Sequence, residues 1–340
     1  MKVSKDLSLP HVLVIAGLTA SGKTDLALGV ASNLSAVDII SVDSRQFYQG
    51  PCIISGQDIP AGFSRSQSKE ISFLDQPAVY FQSGNTRIWA VDQLSPDQVL
   101  NLSDFVEFTW QIIDQAVDQG RSLIIVGGTG LYLKAITQPL DRLVTPPDIQ
   151  LRQELELLTV DELQSRLEKL NPDWLEKLNH SDKNNPRRLI RAIEISLSDK
   201  KNQKLSLKGI EQRRAEFRWV GLKPDMDTLN HKIKIRVEKR LQQGALQEVG
   251  GLLEKYSSKL PALSALGIKH IKQHLDGDID QNELVELWTQ QEVSYAKRQW
   301  TWFKKQPSII WYDENTDRQE LITDLSAWLI NKHDSQKKKS

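Results

Sequence analysis

Eight residues near the start of the chain, Gly17, Leu18, Thr19, Ala20, Ser21, Gly22, Lys23 and Thr24, spell G-x-x-x-x-G-K-[ST]. That spacing suits a phosphate chain. The glycines let backbone N–H groups turn inward, and a helix starting behind them adds partial positive charge. Lys23 brings a mobile ammonium to the outer phosphate oxygens, and Thr24 can set its hydroxyl on a magnesium ion. A second group, Asp43, Ser44, Arg45 and Gln46, follows a short apolar run. A carboxylate there could ligate magnesium, act as general base on an acceptor group, or simply cap the next turn. A third loop, residues 127–132 (GGTGLY), permits close backbone approach and offers the Thr129 hydroxyl to a phosphate or a base, unless it is a plain strand-to-helix turn. A phosphate loop by itself names no reaction, because NTPases, nucleotide kinases and small-molecule kinases share it.

These loops need strands to aim them. Residues 11–16 (HVLVIA), 37–42 (VDIISV) and 122–126 (SLIIV) are short apolar runs, and each ends at one of the three loops. Between them lie helical patterns, including one from an N-cap at Ser103 to about Val117. Continuous apolar strands alternating with helices predict an α/β fold: a P-loop NTPase-like parallel sheet core covered on both faces. Ligands on such sheets bind beyond the carboxyl ends of the strands, so one shared site is expected. From Pro139 the pattern changes. Residues 151–158, 160–170 and 187–197 carry helical spacing without strand signals, residues 217–222 return to strand character, and residues 308–311 make a last strand. Long helices are expected over 228–256 and 281–304, separated by a turn at 264–270 (SALGIKH). The expected organisation is a core over 1–139, a helical insertion domain over 140–213, the rest of the core over 214–335, and a disordered tail at 336–340.

The 340 residues hold 44 Lys and Arg against 44 Asp and Glu, a net charge of zero. That argues against a chain that coats nucleic acid through its overall field, but the charges are segregated. Residues 88–120 contain six acids and no base, whereas residues 183–218 contain eleven bases against four acids, a local +7. Nothing approaches the ~20 apolar residues of a membrane span. A single cysteine, Cys52, excludes a disulfide framework and a Cys-based zinc site; it is expected as a buried thiol in a reducing, cytoplasmic setting. Most of the nine tryptophans are expected in core or rim packing rather than stacked on bases.

The three loops together resemble the tRNA dimethylallyltransferase family, also called tRNA isopentenyltransferase. The likeness continues through residues 185–194 (NPRRLIRAIE), 266–269 (LGIK) and 295–304 (YAKRQWTWFK), and runs in order from about residue 11 to 312. The resemblance implies transfer of a dimethylallyl group from dimethylallyl diphosphate to N6 of adenosine 37, beside the anticodon, in tRNAs reading codons that begin with U. The phosphate loop would then hold a diphosphate leaving group rather than ATP, with Mg2+ at Thr24. Asp43 would be the base, Thr19 and Thr129 would sit near the reacting centre, and Ser44, Arg45 and Gln46 would hold the adenine. Arg152, Arg187, Arg188, Leu189, Ile190 and Arg191 would meet the anticodon stem-loop, and Lys297 and Arg298 would add positive charge unless their helix is structural. A monomer is the default. The chain departs from the family pattern at residues 55–60 (SGQDIP), which lack the usual lysine, at residues 88–92 (IWAVD), and at Ile268 in place of a tyrosine. The alternative is a P-loop kinase acting on a nucleotide or small molecule.

Overall fold

The structure is a computed structural model that describes residues 9–138, 145, 148–198, 214–223, 225–313 and 315–337. The described residues fall into two compact units, one formed by the chain up to Thr137 and from Arg214 onward, the other by residues 138–213. The expected junctions at 139/140 and 213/214 touch residues 139, 140 and 213, which lie outside the described set.

The first unit opens with β1 (His11–Gly17), α1 (Lys23–Ala31), β2 (Val37–Val42), a one-turn α2 (Cys52–Ser55) and three further strands, β3 (Ser64–Phe73), β4 (Gln76–Ser83) and β5 (Thr86–Trp89). Next come α3 (Leu102–Asp118), β6 (Ser122–Gly127) and α4 (Gly130–Thr137). The second unit holds α5 (Ile149–Leu155), α6 (Val160–Leu170), α7 (Pro172–Lys177), α8 (His180–Lys183) and α9 (Pro186–Leu197). The first unit resumes with β7 (Glu216–Leu222), α10 (Met226–Gln242), α11 (Ala245–Lys255), α12 (Ile268–Leu275), α13 (Gln281–Phe303), β8 (Ile309–Tyr312) and α14 (Arg318–Lys337).

The strands form one sheet in the order β3-β4-β5-β2-β6-β1-β7-β8. From β5 to β8 every pairing is parallel; β4 runs against both its neighbours. β1 takes a central place because Val12 to Ala16 are apolar on both faces and fully buried. On one face Leu13, Ile15 and Val126 pack with Leu26 and Val30 of α1 and with Leu321 and Leu325 of α14; α3 covers the other face. Each such side chain contributes roughly 1.5–3 kcal/mol relative to exposure. Register then does the positioning. Val42 pairs with Gly127, and Gly127 pairs with Ala16, so the ends of β2, β6 and β1 lie side by side.

Several expectations need correction. Helix α3 is capped by Asn101, whose side chain accepts from the Asp104 N–H at 2.8 Å, and not by Ser103. The pattern over 228–256 is broken into α10 and α11 at Gly244, where φ is 101°. The turn expected at 264–270 is confined to 265–267, and residues 268–270 already open α12, entered through Gly267. Strands β3 to β5 were not expected: Ser64–Phe73 is polar along most of its length, and only Ile71 and Phe73 are buried. Cys52 is exposed. Gln336 and Lys337, placed in the tail by sequence, close α14, and residues 338–340 lie outside the described set. Trp89, Trp110, Trp219 and Trp288 are buried as expected.

The second unit is a small helical bundle. Its core is Leu155, Leu163, Leu167, Leu189, Ile190, Ala192 and Ile193. Short helices form here because asparagines punctuate the chain: Asn171, Asn179 and Asn185 each cap the helix that follows, and proline opens both α7 and α9. No helix among the described residues is long and apolar enough to cross a membrane.

Candidate active site

The phosphate loop joins β1 to α1 in the way the motif requires. Ala20 and Gly22 are left-handed, with φ of 58° and 80°, an alternation that turns successive backbone N–H groups toward one side. For alanine that conformation costs about 1–2 kcal/mol, a strain typical of a ligand cradle. Gly22 caps α1 without a side chain, so no side chain competes for the first-turn N–H groups. The Ser21 hydroxyl is buried with no hydrogen-bond partner among the described residues. A phosphate oxygen would satisfy it. Lys23 folds back onto the Leu18 carbonyl. Burial brings its ammonium down to about 8, Arg236 pushes in the same direction, and Asp43 opposes them.

In the second loop, the Asp43 carboxylate accepts from the Arg45 N–H at 2.9 Å, a local turn that fixes where it points. Its charge reaches Lys23, Tyr132 and Tyr295, which sets it at the mouth of the same site. Arg45 donates to the Pro261 carbonyl at 2.6 Å. Gln46 accepts from Ser41 at 2.7 Å and donates to the Gly56 carbonyl at 2.5 Å. Both ends of its amide therefore brace the loop. Ser44 stays half-buried beside Asp43.

The third loop is tied to the first by α13. Gln299 accepts from the Thr19 N–H at 2.8 Å and donates to the Gly128 carbonyl at 3.0 Å. A Cβ on Gly128 would lie 2.3 Å from that amide nitrogen, so only glycine fits this approach. Tyr295 hydrogen-bonds to Thr129 and Gln299, and its phenol, raised to about 12 chiefly by burial, stays protonated at neutral pH. Tyr132 is raised to about 12 for the same first reason. Arg236 on α10 donates to the Thr19 hydroxyl and to Glu292 of α13, the latter at 2.7 Å. Arg240, one turn further along α10, takes the other Glu292 oxygen at 3.0 Å.

Sequence reading placed added positive charge at Lys297 and Arg298, yet both are exposed on the outer face of α13. The inward face of that helix carries Trp288, Glu292, Ala296, Gln299 and Phe303, all buried, with Tyr295 partly so. Arg236, Arg240, Glu292, Tyr295 and Gln299 were missed as site residues. The readable signal was Glu292 and Gln299 falling in phase with an otherwise apolar stripe, because a buried polar group must have a partner.

The arginines expected to meet RNA lie in the second unit, and the structure divides them. Arg187 is exposed at the start of α9, and Arg188 is exposed and paired with Asp182. Arg152 and Arg191 are instead held by Glu194, which is 2% exposed and also accepts from the Asp148 N–H at 2.6 Å. Leu189 and Ile190 are buried in that unit's core, so their side chains are packing groups. An open groove of about 820 Å3 on this unit is lined in part by Glu156, His180, Asn184 and Arg187.

A magnesium ion fits the first loop only in company with phosphate oxygens. Thr24 opens α1 with an exposed hydroxyl, and among the described residues no group of three or more His, Cys, Asp or Glu could hold a metal.

Comparison with known proteins finds relatives along most of the chain. The family model described as IPP transferase matches residues 84–306. A tRNA dimethylallyltransferase of Acetivibrio thermocellus is 32% identical over 332 residues, covering 94% of this chain and 98% of its own length. One of Nostoc punctiforme is 32% identical, covering 90% and 93%. Among solved structures, a full-length tRNA isopentenylpyrophosphate transferase from Bacillus halodurans superposes with a TM-score of 0.63 at 25% identity, over 96% of this chain and 98% of that one. A eukaryotic dimethylallyltransferase acting on tRNA shares the fold, with a TM-score of 0.74 at 22% identity over 95% of this chain and 80% of that one.

Proposed function

The chain belongs to the IPP transferase family, and from that premise we propose that it prenylates tRNA, moving a dimethylallyl group from dimethylallyl diphosphate to N6 of adenosine 37 beside the anticodon. The observation that carries this reading is the convergence of the phosphate loop and Asp43, at the ends of parallel strands β1 and β2 on either side of β6, with the Arg236 guanidinium of α10. A kinase would leave the likeness to tRNA-prenylating relatives along most of the chain unexplained.

The diphosphate lies in residues 17–24, with Lys23 and Arg236 neutralising the charge that grows as the allylic C–O bond breaks. Thr24 would help hold a magnesium ion at this loop, and that ion would supply further Lewis-acid neutralisation. The exocyclic amine of adenine is a weak nucleophile whose proton becomes acidic as the new C–N bond forms. The Asp43 carboxylate takes that proton, and diphosphate leaves with the electron pair of the broken bond. Thr19 and Thr129, joined through Gln299 and Tyr295, line the reacting centre. A loop base reaches such a pocket more cheaply than one in a duplex, where unstacking costs a few kcal/mol. Arg187 and Arg188 contact the anticodon stem-loop, and the protein works as a monomer in the cytoplasm.

The test is to incubate the protein with dimethylallyl diphosphate, Mg2+ and unmodified tRNA carrying adenosines at 36, 37 and 38. Mass spectrometry should find C5H8 on one adenosine. ATP consumption without that addition would favour the kinase. Asp43→Asn should lower transfer by about a hundredfold or more while sparing tRNA affinity. Near-normal turnover in this variant would remove Asp43 as the base.

A further inference from the structure

The pair formed by Arg240 and Glu292 does more than fill the core. Arg240 is 6% exposed and Glu292 is 2% exposed. Burying two ions costs several kcal/mol each unless geometry and hydrogen bonds compensate, and an apolar pair of similar volume would often be at least as stable. Val237 and Leu241, neighbours of Arg240 on α10, belong with Ile54 to an apolar cluster, so nothing in the packing demands a charge at residue 240.

What the pair achieves is orientation. Glu292 has two oxygens and each takes one guanidinium, Arg240 at 3.0 Å and Arg236 at 2.7 Å. Arg236 reaches on to the Thr19 hydroxyl of the phosphate loop. The Nε atoms of both arginines are buried without a partner among the described residues, so two cations share a single buried carboxylate. Asp58 at the surface and Asp43 on its own turn are the other acids whose charge reaches Arg240. Room for the guanidinium is made at Gly56, where φ is 66° and a Cβ would lie 2.0 Å from an Arg240 terminal nitrogen. Residues 55–60 bring no Lys or Arg of their own to this corner. Arg240 brings one from α10.

We infer that Arg240 is a positioning residue for the prenyl donor: by occupying one oxygen of Glu292 it fixes the other on Arg236, and so holds the Arg236 guanidinium where the diphosphate binds. This rests on the diphosphate reading of the phosphate loop.

The experiment compares wild type, Arg240→Met, Arg240→Lys, Arg236→Ala and the Arg236→Ala/Arg240→Met double variant in the full chain. Affinity for inorganic pyrophosphate with Mg2+ is measured by calorimetry, alongside affinity for unmodified tRNA. Arg240→Met should weaken pyrophosphate binding about tenfold and raise the donor KM in step. Its tRNA affinity should stay within about twofold, and it should cost nothing further once Arg236 is gone. Arg240→Lys, retaining a charge on Glu292, should fall between wild type and Arg240→Met. Unchanged pyrophosphate affinity in folded Arg240→Met overturns the inference, as does a full additional loss in the Arg236→Ala background. If Arg240→Met does not fold, wild-type pyrophosphate affinity in Arg240→Lys overturns it. A wild-type chain that binds no pyrophosphate removes the diphosphate reading and this inference together; a binding wild type with unaffected variants removes this inference only.

Discussion

The Lys23 side chain carries the clearest chemical tension in the molecule. Its ammonium is brought down to about 8 by burial first and by Arg236 second, against the usual value near 10.5. The unfolded chain therefore holds this proton more tightly than the empty folded site. Stability from this group rises as pH climbs from about 8 toward 10.5. An arriving diphosphate reverses the preference, because the anion stabilises the charged amine. Pyrophosphate binding should thus take up a proton, and its affinity should decline as pH rises above about 8. Calorimetry in buffers of different ionisation heat checks this, with Lys23→Met as the reference; equal uptake in both proteins would discard the idea. At this scale the sequence was legible where chemistry is local. Residues 17–24, Asp43 and Thr129 announce themselves by spacing. Gln299 and Arg236 did not, because their partners lie 280 and 217 residues away.

Among the elements, apolar runs gave away β1, β2, β6, β7 and β8, and helical spacing gave away α5, α6 and α9. β3 was hidden by its polarity; the apolar run Ala78 to Phe81 of β4 and the Gly84-Asn85 turn before β5 were readable signs. In the second unit, Glu194 is the element-scale device that locks α5 to α9. Burial works to raise its carboxyl, but donors from Arg152, Arg191 and the Asp148 N–H outweigh that and hold it below the ordinary 4.5. A depressed carboxyl contributes stability above that value and loses it as pH falls through the folded one. Glu194→Ala should destabilise this unit by about 1–3 kcal/mol, since it takes the shared acceptor from two half-buried arginines and the Asp148 N–H. Urea denaturation read by hydrogen exchange on α5 and α9 measures it; a loss below about 1 kcal/mol would assign Glu194 no such role.

For the whole molecule, a net charge of zero conceals an uneven distribution, though not quite the one the sequence suggests. Arg218, counted with the basic stretch, lies on β7 in the sheet unit, paired with Asp324 at 2.6 Å and stacked over Trp328. Arg152 and Arg191 are largely spoken for by Glu194. Lys200, Lys201, Lys204, Lys208 and Arg213 lie outside the described residues. Exposed Arg187 and Arg188 remain the proposed phosphate contacts. Arg188→Ala should weaken tRNA binding without changing which tRNAs are bound, and should flatten the plot of log affinity against log salt by about one unit of slope. An unchanged slope would place RNA elsewhere. The order of the sheet also has a consequence for synthesis. Because β1 sits between β6 and β7, the strand bearing the phosphate loop waits with one open edge while the whole helical unit is made. Its clamp arrives later still, when Gln299 emerges from the ribosome to close on Thr19. Until then the nascent chain carries an unfinished sheet edge, the kind of surface that chaperones recognise. An enzyme assembled this way stays silent until α13 has been made and has closed on the phosphate loop.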